Sequence, residues 1–350
     1  MKAIVKEKAE AGFGYIEVQK PKPKPNEVLI EVKAASICGT DVHWYNWDQN
    51  AKDFAEKFNV KFPFIVGHEL SGVIVDVGSN VTSRKIGQRV SIETHIPCGE
   101  CFQCQNNAAH NCSNMILYAT SCDGGFSDYT VIDEKATFVI PDDMSFEEGA
   151  LLEPAGCAMR AVEEANITPG ETVIVIGCGP IGLLTIQILI ACGARVIAIN
   201  TSEYRLKMAE KLGAIAVSAK DENFVEIINK ITSNRGGADV IIELSGSTKA
   251  YETIFDLLRL EGRIVTVGNP GGDIPINITK DINLKGASIK GVFGRRIWST
   301  WWNLNSLIST KQINILDVVT HKFSFSEYEK AFEQIQNGSG KILLLKDSKH

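Results

Sequence analysis

The stretch from Thr172 to Ile199 limits this chain more than any other. It is almost wholly apolar, and it is longer than the about 20 residues that a membrane-spanning helix needs. Gly177, Gly179, Pro180 and Gly182 interrupt it after five residues, and Gly193 interrupts it again. Strand, turn, helix and strand account for that punctuation better than one long helix. Strands buried on both faces of a parallel sheet read as continuous apolar runs. The expectation is a βαβ unit inside an α/β domain, with no transmembrane helix.

The turn reads Gly177-Cys178-Gly179-Pro180-Ile181-Gly182. Between a strand and a helix this spacing is a dinucleotide-binding signature. The first glycine makes the turn, the second admits a pyrophosphate against the backbone, and the third lets helix and strand pack closely. The helix N-terminus then offers free N–H groups to the phosphates. The second strand ends at Asn200, where an Asp or Glu normally holds the adenosine ribose of NAD. Asn200 can still hydrogen-bond that hydroxyl, but it does not repel a 2′-phosphate. Thr201, Ser202 and Arg205 follow and can receive one. NAD is expected, and NADP stays open. Further strands are predicted at 238–243, 262–268 and 284–292, with a helix at 249–259. Val267, Gly268, Val292 and Phe293 are assigned as further cofactor contacts.

Nine cysteines is an odd number, and four of them are Cys98, Cys101, Cys104 and Cys112. Structural zinc takes four tetrahedral ligands, and short spacings let one loop wrap the ion. An iron–sulfur cluster is the chemical rival. The stretch from Cys98 to Cys112 holds no Lys or Arg, so a zinc-finger reader of nucleic acid is a poor match. The net charge of −6 points the same way, and also away from an anionic membrane surface. The N-terminus has no apolar core of signal-peptide length, so the cytoplasm is the default expectation.

A second constellation is spread along the first half of the chain. Cys38, Thr40 and His43 place a thiol, a hydroxyl and an imidazole within six residues. Gly67-His68-Glu69 follows a short apolar strand, and Glu153 precedes Pro154. Ser145 and Glu148 have the spacing of a helix capping box, so Glu148 has a structural use and Glu153 does not. Read alone, Thr40 and His43 are equally well a helix cap and a surface imidazole. Residues 44–62, rich in aromatics, are expected to form a long loop or a short helix near the site. The Pro21–Pro25 run is an exposed extended link.

Taken in order, Cys-Gly-Thr-Asp-x-His, Gly-His-Glu, the four-cysteine lobe and Gly-x-Gly-Pro-x-Gly resemble the zinc-containing medium-chain alcohol dehydrogenases over essentially the whole chain. The resemblance implies a GroES-like, β-rich catalytic domain plus a Rossmann domain with a doubly wound parallel sheet. The boundaries expected are 1–153 for the catalytic domain, with a zinc lobe at about 95–115, then 154–293 for the Rossmann domain and 294–350 for a returning segment. It implies two zinc ions per chain, a nicotinamide cofactor, a small-molecule alcohol as substrate and a homotetramer. Cys38 and His68 are the implied ligands of the catalytic zinc. Glu153 is the third, with Glu69 close by and able to exchange. Thr40 takes the alcohol proton and His43 carries it outward. Within the family, His43-x-Tyr45-x-Trp47-Asp48, Glu203-Tyr204-Arg205-Leu206 and Gly294-Arg295-Arg296 are similar to a branch that oxidises a β-hydroxy amino acid. Glu153-Pro154 is also similar to polyol dehydrogenases of the sorbitol type. His95 is a candidate contact for the polar groups of such a substrate. A scaffold protein that merely keeps the fold is the non-enzymatic alternative.

Overall fold

The computed structural model describes residues 1–347. The chain divides into two compact units, one of Met1–Pro154 together with the stretch from Val319 onward, the other of Ala155–Val318.

The first unit is built on antiparallel sheets. Strands β1 (Lys2–Lys6), β2 (Gly14–Glu17) and β4 (Phe64–Ile65) form a small sheet in the order β2-β1-β4. The larger sheet runs β10-β6-β5-β3-β18-β17, with β9 also paired to β3. Its members are β3 (Glu27–Ser36), β5 (Glu69–Val77), β6 (Arg89–Ile92), β9 (Tyr129–Asp133), β10 (Thr137–Val139), β17 (Val319–Ser324) and β18 (Lys341–Leu345). Strands β7 (His95–Ile96) and β8 (Ile116–Leu117) pair at the foot of the cysteine lobe, which also holds the single turn α3 (Phe102–Gln105). The long central strand β3 buries Val28, Ile30, Val32 and Ala35 in a core shared with Trp44, Leu70 and Phe126. Of the long loop or short helix expected over residues 44–62, the structure has the helical form, as two helices, α1 (Gly39–Asn46) and α2 (Gln49–Lys57). Their aromatic side chains anchor them. Trp44 is buried in the core, and Tyr45 stacks on Phe332 of the closing helix α10 (Tyr328–Gln336) at 4.5 Å. The predicted Ser145–Glu148 box starts α4 (Phe146–Ala165), with the Glu148 N–H donating to the Ser145 hydroxyl at 3.1 Å.

The second unit is a six-stranded parallel sheet in the order β13-β12-β11-β14-β15-β16. The strands are β11 (Thr172–Ile176), β12 (Arg195–Asn200), β13 (Ile215–Ser218), β14 (Ala238–Glu243), β15 (Leu258–Thr266) and β16 (Ser288–Gly291). Strands β11 and β14 are buried along their whole length, as the unbroken apolar runs require. Helix α5 (Pro180–Ala191) is buried from Gly182 to Leu189, which explains why its sequence shows no polar face. Helices α6 (Glu203–Lys211) and α7 (Phe224–Ile231) complete the crossovers. The predicted helix at 249–259 is a 3-10 turn at Thr248–Glu252 and a single turn, α8 (Ile254–Leu257), because the chain enters β15 at Leu258. The last strand begins at Ser288 rather than 284, since Asn277 caps a helical turn over Ile278–Asn283.

The second boundary differs from the sequence expectation. Residues 294–318, assigned there to the returning segment, belong to the second unit. Helix α9 (Ser299–Ser309) buries Trp301 and Leu304, and the Asn314 N–H donates to the Gln187 side chain of α5 at 3.0 Å. Among the described residues no helix is long and apolar enough to cross a membrane.

Candidate metal centres and cofactor cradle

The antiparallel register of the first unit assembles one cluster. Ser36 pairs with Glu69 across β3 and β5, so the end of β3 and the start of β5 lie side by side. Cys38 stands two residues beyond Ser36, and His68 one residue before Glu69. Between β4 and β5, Gly67 adopts φ 88°, and any Cβ there would strike the ring of Phe126. The glycine therefore fixes how His68 is presented. The donor atoms of Cys38, His68 and Glu69 all lie within 4.8 Å of one another.

Glu153 is not a member of that trio. Its Oε1 accepts the Thr94 hydroxyl at 3.2 Å, and it is buried. Its charge still acts on both His68 and Lys341. The expectation had Glu153 as third ligand, with Glu69 close by and able to exchange; the strand register places Glu69 in the trio. His95 is buried beside the same residues, with Nδ1 3.2 Å from Glu93 and 3.3 Å from the Thr94 hydroxyl.

Two groups around the trio had no role in the sequence reading. Lys341, the first residue of β18, is buried with Nζ 2.5 and 2.7 Å from the two Glu69 oxygens and 2.8 Å from the Ile37 carbonyl. The Ser36 hydroxyl also donates to Glu69. A lysine opening an apolar strand is no local signal, so only the pairing of β18 with β3 reveals it. Asp41 is buried, accepts the Cys38 N–H at 2.9 Å and lies 3.8 Å from His68 Nδ1. Burial pushes its carboxyl up to about 6, although the charge of His68 pulls the other way. The spacing Cys38-x-x-Asp41 is a capping box at the start of α1 and was available in the sequence. Thr40 Oγ1 is 3.8 Å from Cys38 Sγ. His43 is half exposed, with Nδ1 2.6 Å from Asp48. Burial alone would depress His68, but Cys38, Asp41 and Glu153 more than offset it and hold its pKa well above the usual value. A thiol, an imidazole and acids outnumbering the one lysine form a donor set suited to a divalent cation.

The cysteine lobe is tighter. Neighbouring sulfurs are 3.5 Å apart for Cys101–Cys104 and Cys98–Cys112, and 3.7 Å for Cys101–Cys112. All four are free thiols. Zinc–sulfur bonds of about 2.3 Å in a tetrahedron put sulfurs about 3.8 Å apart, so this cage fits one ion. An iron–sulfur cluster needs its cysteines spread around several metals. The Cys98 and Asn114 N–H groups each point at Cys112 Sγ from 3.3 Å.

In the second unit Gly177, with φ 99°, packs so closely that a Cβ would come within 2.7 Å of the Ser245 nitrogen. Gly179 is the N-cap of α5 and Pro180 its first residue, with Ile181 next. A Cβ on Gly182 would run into the Gly177 carbonyl. Asn200 closes β12 and its Oδ1 accepts the Ser202 N–H at 2.8 Å; Thr201 is exposed, and the Arg205 N–H meets the Ser202 hydroxyl at 3.5 Å. The Val267 and Gly268 N–H groups donate to the Glu243 carbonyl at 2.9 and 3.1 Å, and Val292 N–H to Thr266 at 2.9 Å. Phe293 follows, exposed. Thus all the assigned cofactor residues follow or close strands at the carboxyl edge of the sheet. That edge, next to the β11–β14 switch in strand order, is where such sheets bind dinucleotides. Sequence reading missed Glu243, whose buried carboxylate accepts the Ser245 N–H at 2.8 Å and Gly246 N–H at 3.1 Å and shapes the turn against Gly177.

Two family models match the chain: the alcohol dehydrogenase GroES-like domain over residues 24–142, and zinc-binding dehydrogenase over residues 180–310. L-threonine 3-dehydrogenase of Bacillus subtilis (strain 168) is 40% identical over 348 residues, covering 99% of this chain and 98% of that one. Among solved structures, 2R,3R-butanediol dehydrogenase from Bacillus subtilis superposes with a TM-score of 0.89 at 31% identity, covering 99% of each chain. A zinc-binding dehydrogenase from Sinorhizobium meliloti 1021, bound to NADP, superposes with a TM-score of 0.86 at 29% identity over 98% of each chain. These likenesses run from end to end of the sequence, and the chain belongs to the zinc-dependent, NAD(P)-dependent medium-chain alcohol dehydrogenases.

Proposed function

We propose that this dehydrogenase oxidises the 3-hydroxyl of L-threonine to give 2-amino-3-oxobutanoate, with NAD as the hydride acceptor. The observation that carries the substrate is the 40% identity to a threonine dehydrogenase across 99% of the chain. Cys38 and His68 hold the catalytic zinc, with a carboxylate from Glu69 or Glu153 as third donor. Cys98, Cys101, Cys104 and Cys112 hold a second, structural ion. An alcohol is too weak an acid to lose its proton at neutral pH, and zinc held there supplies the Lewis acidity that lowers that pKa.

The remaining work belongs to side chains of this chain. The Thr40 hydroxyl, beside Cys38, accepts the substrate proton while donating its own, because a hydroxyl does both at once. His43, half exposed, takes the proton outward and releases it to water. The glycine turn and the α5 N-terminus bind the pyrophosphate. With Asn200 Oδ1 engaged by Ser202, its amide N–H group is the donor left for the ribose. His95 and its neighbours supply polar groups for the ammonium and carboxylate of the amino acid. The family suggests a homotetramer; all four residues of β16, the last strand of the parallel sheet, are exposed and offer an edge to a second copy.

A polyol or vicinal diol is the second reading, favoured by the match to butanediol dehydrogenase. Initial rates with NAD and NADP against L-threonine, sorbitol, 2R,3R-butanediol and a simple secondary alcohol decide between them. A kcat/KM of at least ~10⁴ M⁻¹s⁻¹ for threonine with NAD is expected of a true substrate. Diol turnover with threonine silent moves the assignment to the other branch.

A further inference from the structure

His43 sits on α1 and Asp48 is the N-cap of α2. Between them Trp47 has φ 51°, a left-handed conformation that a bulky residue rarely takes. Packing holds it there. Its ring stacks on Trp44 at 6.0 Å, meets Phe62 edge-on at 5.6 Å and has the Lys6 ammonium 5.2 Å from its centre. Lys6 in turn donates to the Trp44 carbonyl at 2.6 Å. The bend between the two helices is therefore fixed, and it returns Asp48 to the last turn of α1. There the carboxylate divides its two oxygens. Oδ1 accepts the Ala51 N–H at 3.2 Å and caps α2, while Oδ2 lies 2.6 Å from His43 Nδ1. Among the described residues Asp48 is the one acid within ion-pair distance of His43. The acid within α1, Asp41, faces His68.

We propose that Asp48 is a positioning residue of the proton path, one that holds His43 with Nδ1–H donated to its carboxylate so that Nε2 carries the lone pair. This rests on reading His43 as the exit of that path. A proton passed outward is then taken up at Nε2, the imidazolium is stabilised by the charge on Asp48, and the proton leaves to water from Nε2. A second partner fixing an imidazole's tautomer is the same logic that orients catalytic and metal-bound histidines. Asp48 stays ionised. Partial burial raises its pKa, but the bonds from His43 and Ala51 lower it further, below the usual carboxylate range.

The test uses Asp48→Asn and Asp48→Ser in the zinc-loaded enzyme. Asn and Ser are good N-caps, so α2 and the melting temperature should be kept in both. Neither supplies a charge. The His43 ring nitrogens are followed by NMR, with His43→Asn to assign the signal. In the parent their shifts are expected to report Nδ1–H with Nε2 unprotonated, and in Asp48→Ser that preference should relax toward the Nε2–H form. kcat/KM, measured with L-threonine or 2R,3R-butanediol, should fall at least about tenfold in both variants. An Nε2–H ring in the parent, or an unchanged ring in Asp48→Ser, overturns the dyad. A changed ring with parental kcat/KM overturns its service to the reaction. If His43→Asn itself keeps the parental rate and profile, the relay reading has failed, and that outcome is distinct from the other two.

Discussion

The two candidate metal clusters of the first unit contrast in how they are made. The cysteine lobe takes all its donors from 15 consecutive residues and needs only a wrapped loop and one short strand pair. The other cluster draws Cys38 from the end of β3, His68 and Glu69 from the start of β5, and Lys341 from near the end of the chain. The lobe is chemically uniform, with four thiols. The second cluster is mixed in charge and donor type, and the Thr40 hydroxyl lies beside its thiol. Four protein donors close a site around an ion, whereas three leave a position for a substrate.

Substitutions should separate the two. Cys38→Ala is expected to have the largest effect, a fall in kcat/KM of at least ~10³-fold, equivalent to about 4 kcal/mol. Zinc measured by atomic absorption should drop by one ion per chain while the fold persists. Full zinc content in that variant would mean that the trio is not the ion's home. Lys341→Met comes next. It leaves Glu69 buried without its counter-charge, which costs about 3–5 kcal/mol in urea unfolding. A variant as stable as the parent would show that Glu69 does not depend on Lys341. Cys101→Ser should do the reverse of Cys38→Ala, lowering the melting temperature while each folded molecule keeps its kcat/KM. Equal loss of both properties would erase the distinction between the clusters.

The smallest expected effect concerns an acid that serves no metal. Asp239, buried in the second unit, accepts the Thr172 N–H at 2.8 Å and pairs with Arg235 at 3.0 Å and Arg259 at 2.7 Å. Burial opposes its ionisation, but these partners prevail and its pKa is lowered. A depressed carboxylate contributes stability that is present above the unfolded value of about 3.9 and is lost as pH falls through the folded one. Asp239→Asn should therefore lower stability at neutral pH and flatten the acid side of the stability curve below about pH 4. A parental acid slope in the variant would show that the charge at Asp239 is not linked to folding.

The parts legible in sequence were those written locally. The glycine turn, the four cysteines and the Ser145–Glu148 box each sit within a few residues, and the strand-turn-helix order around Gly177 is visible in hydrophobic punctuation alone. Cys38, His68 and Glu69 could be named, but nothing in their spacing said that Ser36 and Glu69 would face each other. That register is a property of two strands in a sheet, and it is why Glu69 rather than Glu153 joins the trio. Lys341 was invisible for the same reason. The 294–318 segment was misassigned because the burial of Trp301 and Leu304 depends on neighbours that its own sequence does not identify. Asp41 and Asp48 stood in plain view inside a motif, yet their partners become apparent only once α1 and α2 exist.

Strand β18 also imposes an order of events on biosynthesis. The four lobe thiols have all been synthesised once residue 112 is in place, so that centre can form on a growing chain. Glu69 is made long before Lys341, and it waits through the whole of the intervening unit for the partner that neutralises it. A ribosome stalled before residue 341 would leave a chain with a finished lobe and an uncompensated acid in its core. A premature stop codon just before position 341 should therefore yield a product that binds metal at the lobe yet is unstable in the cell.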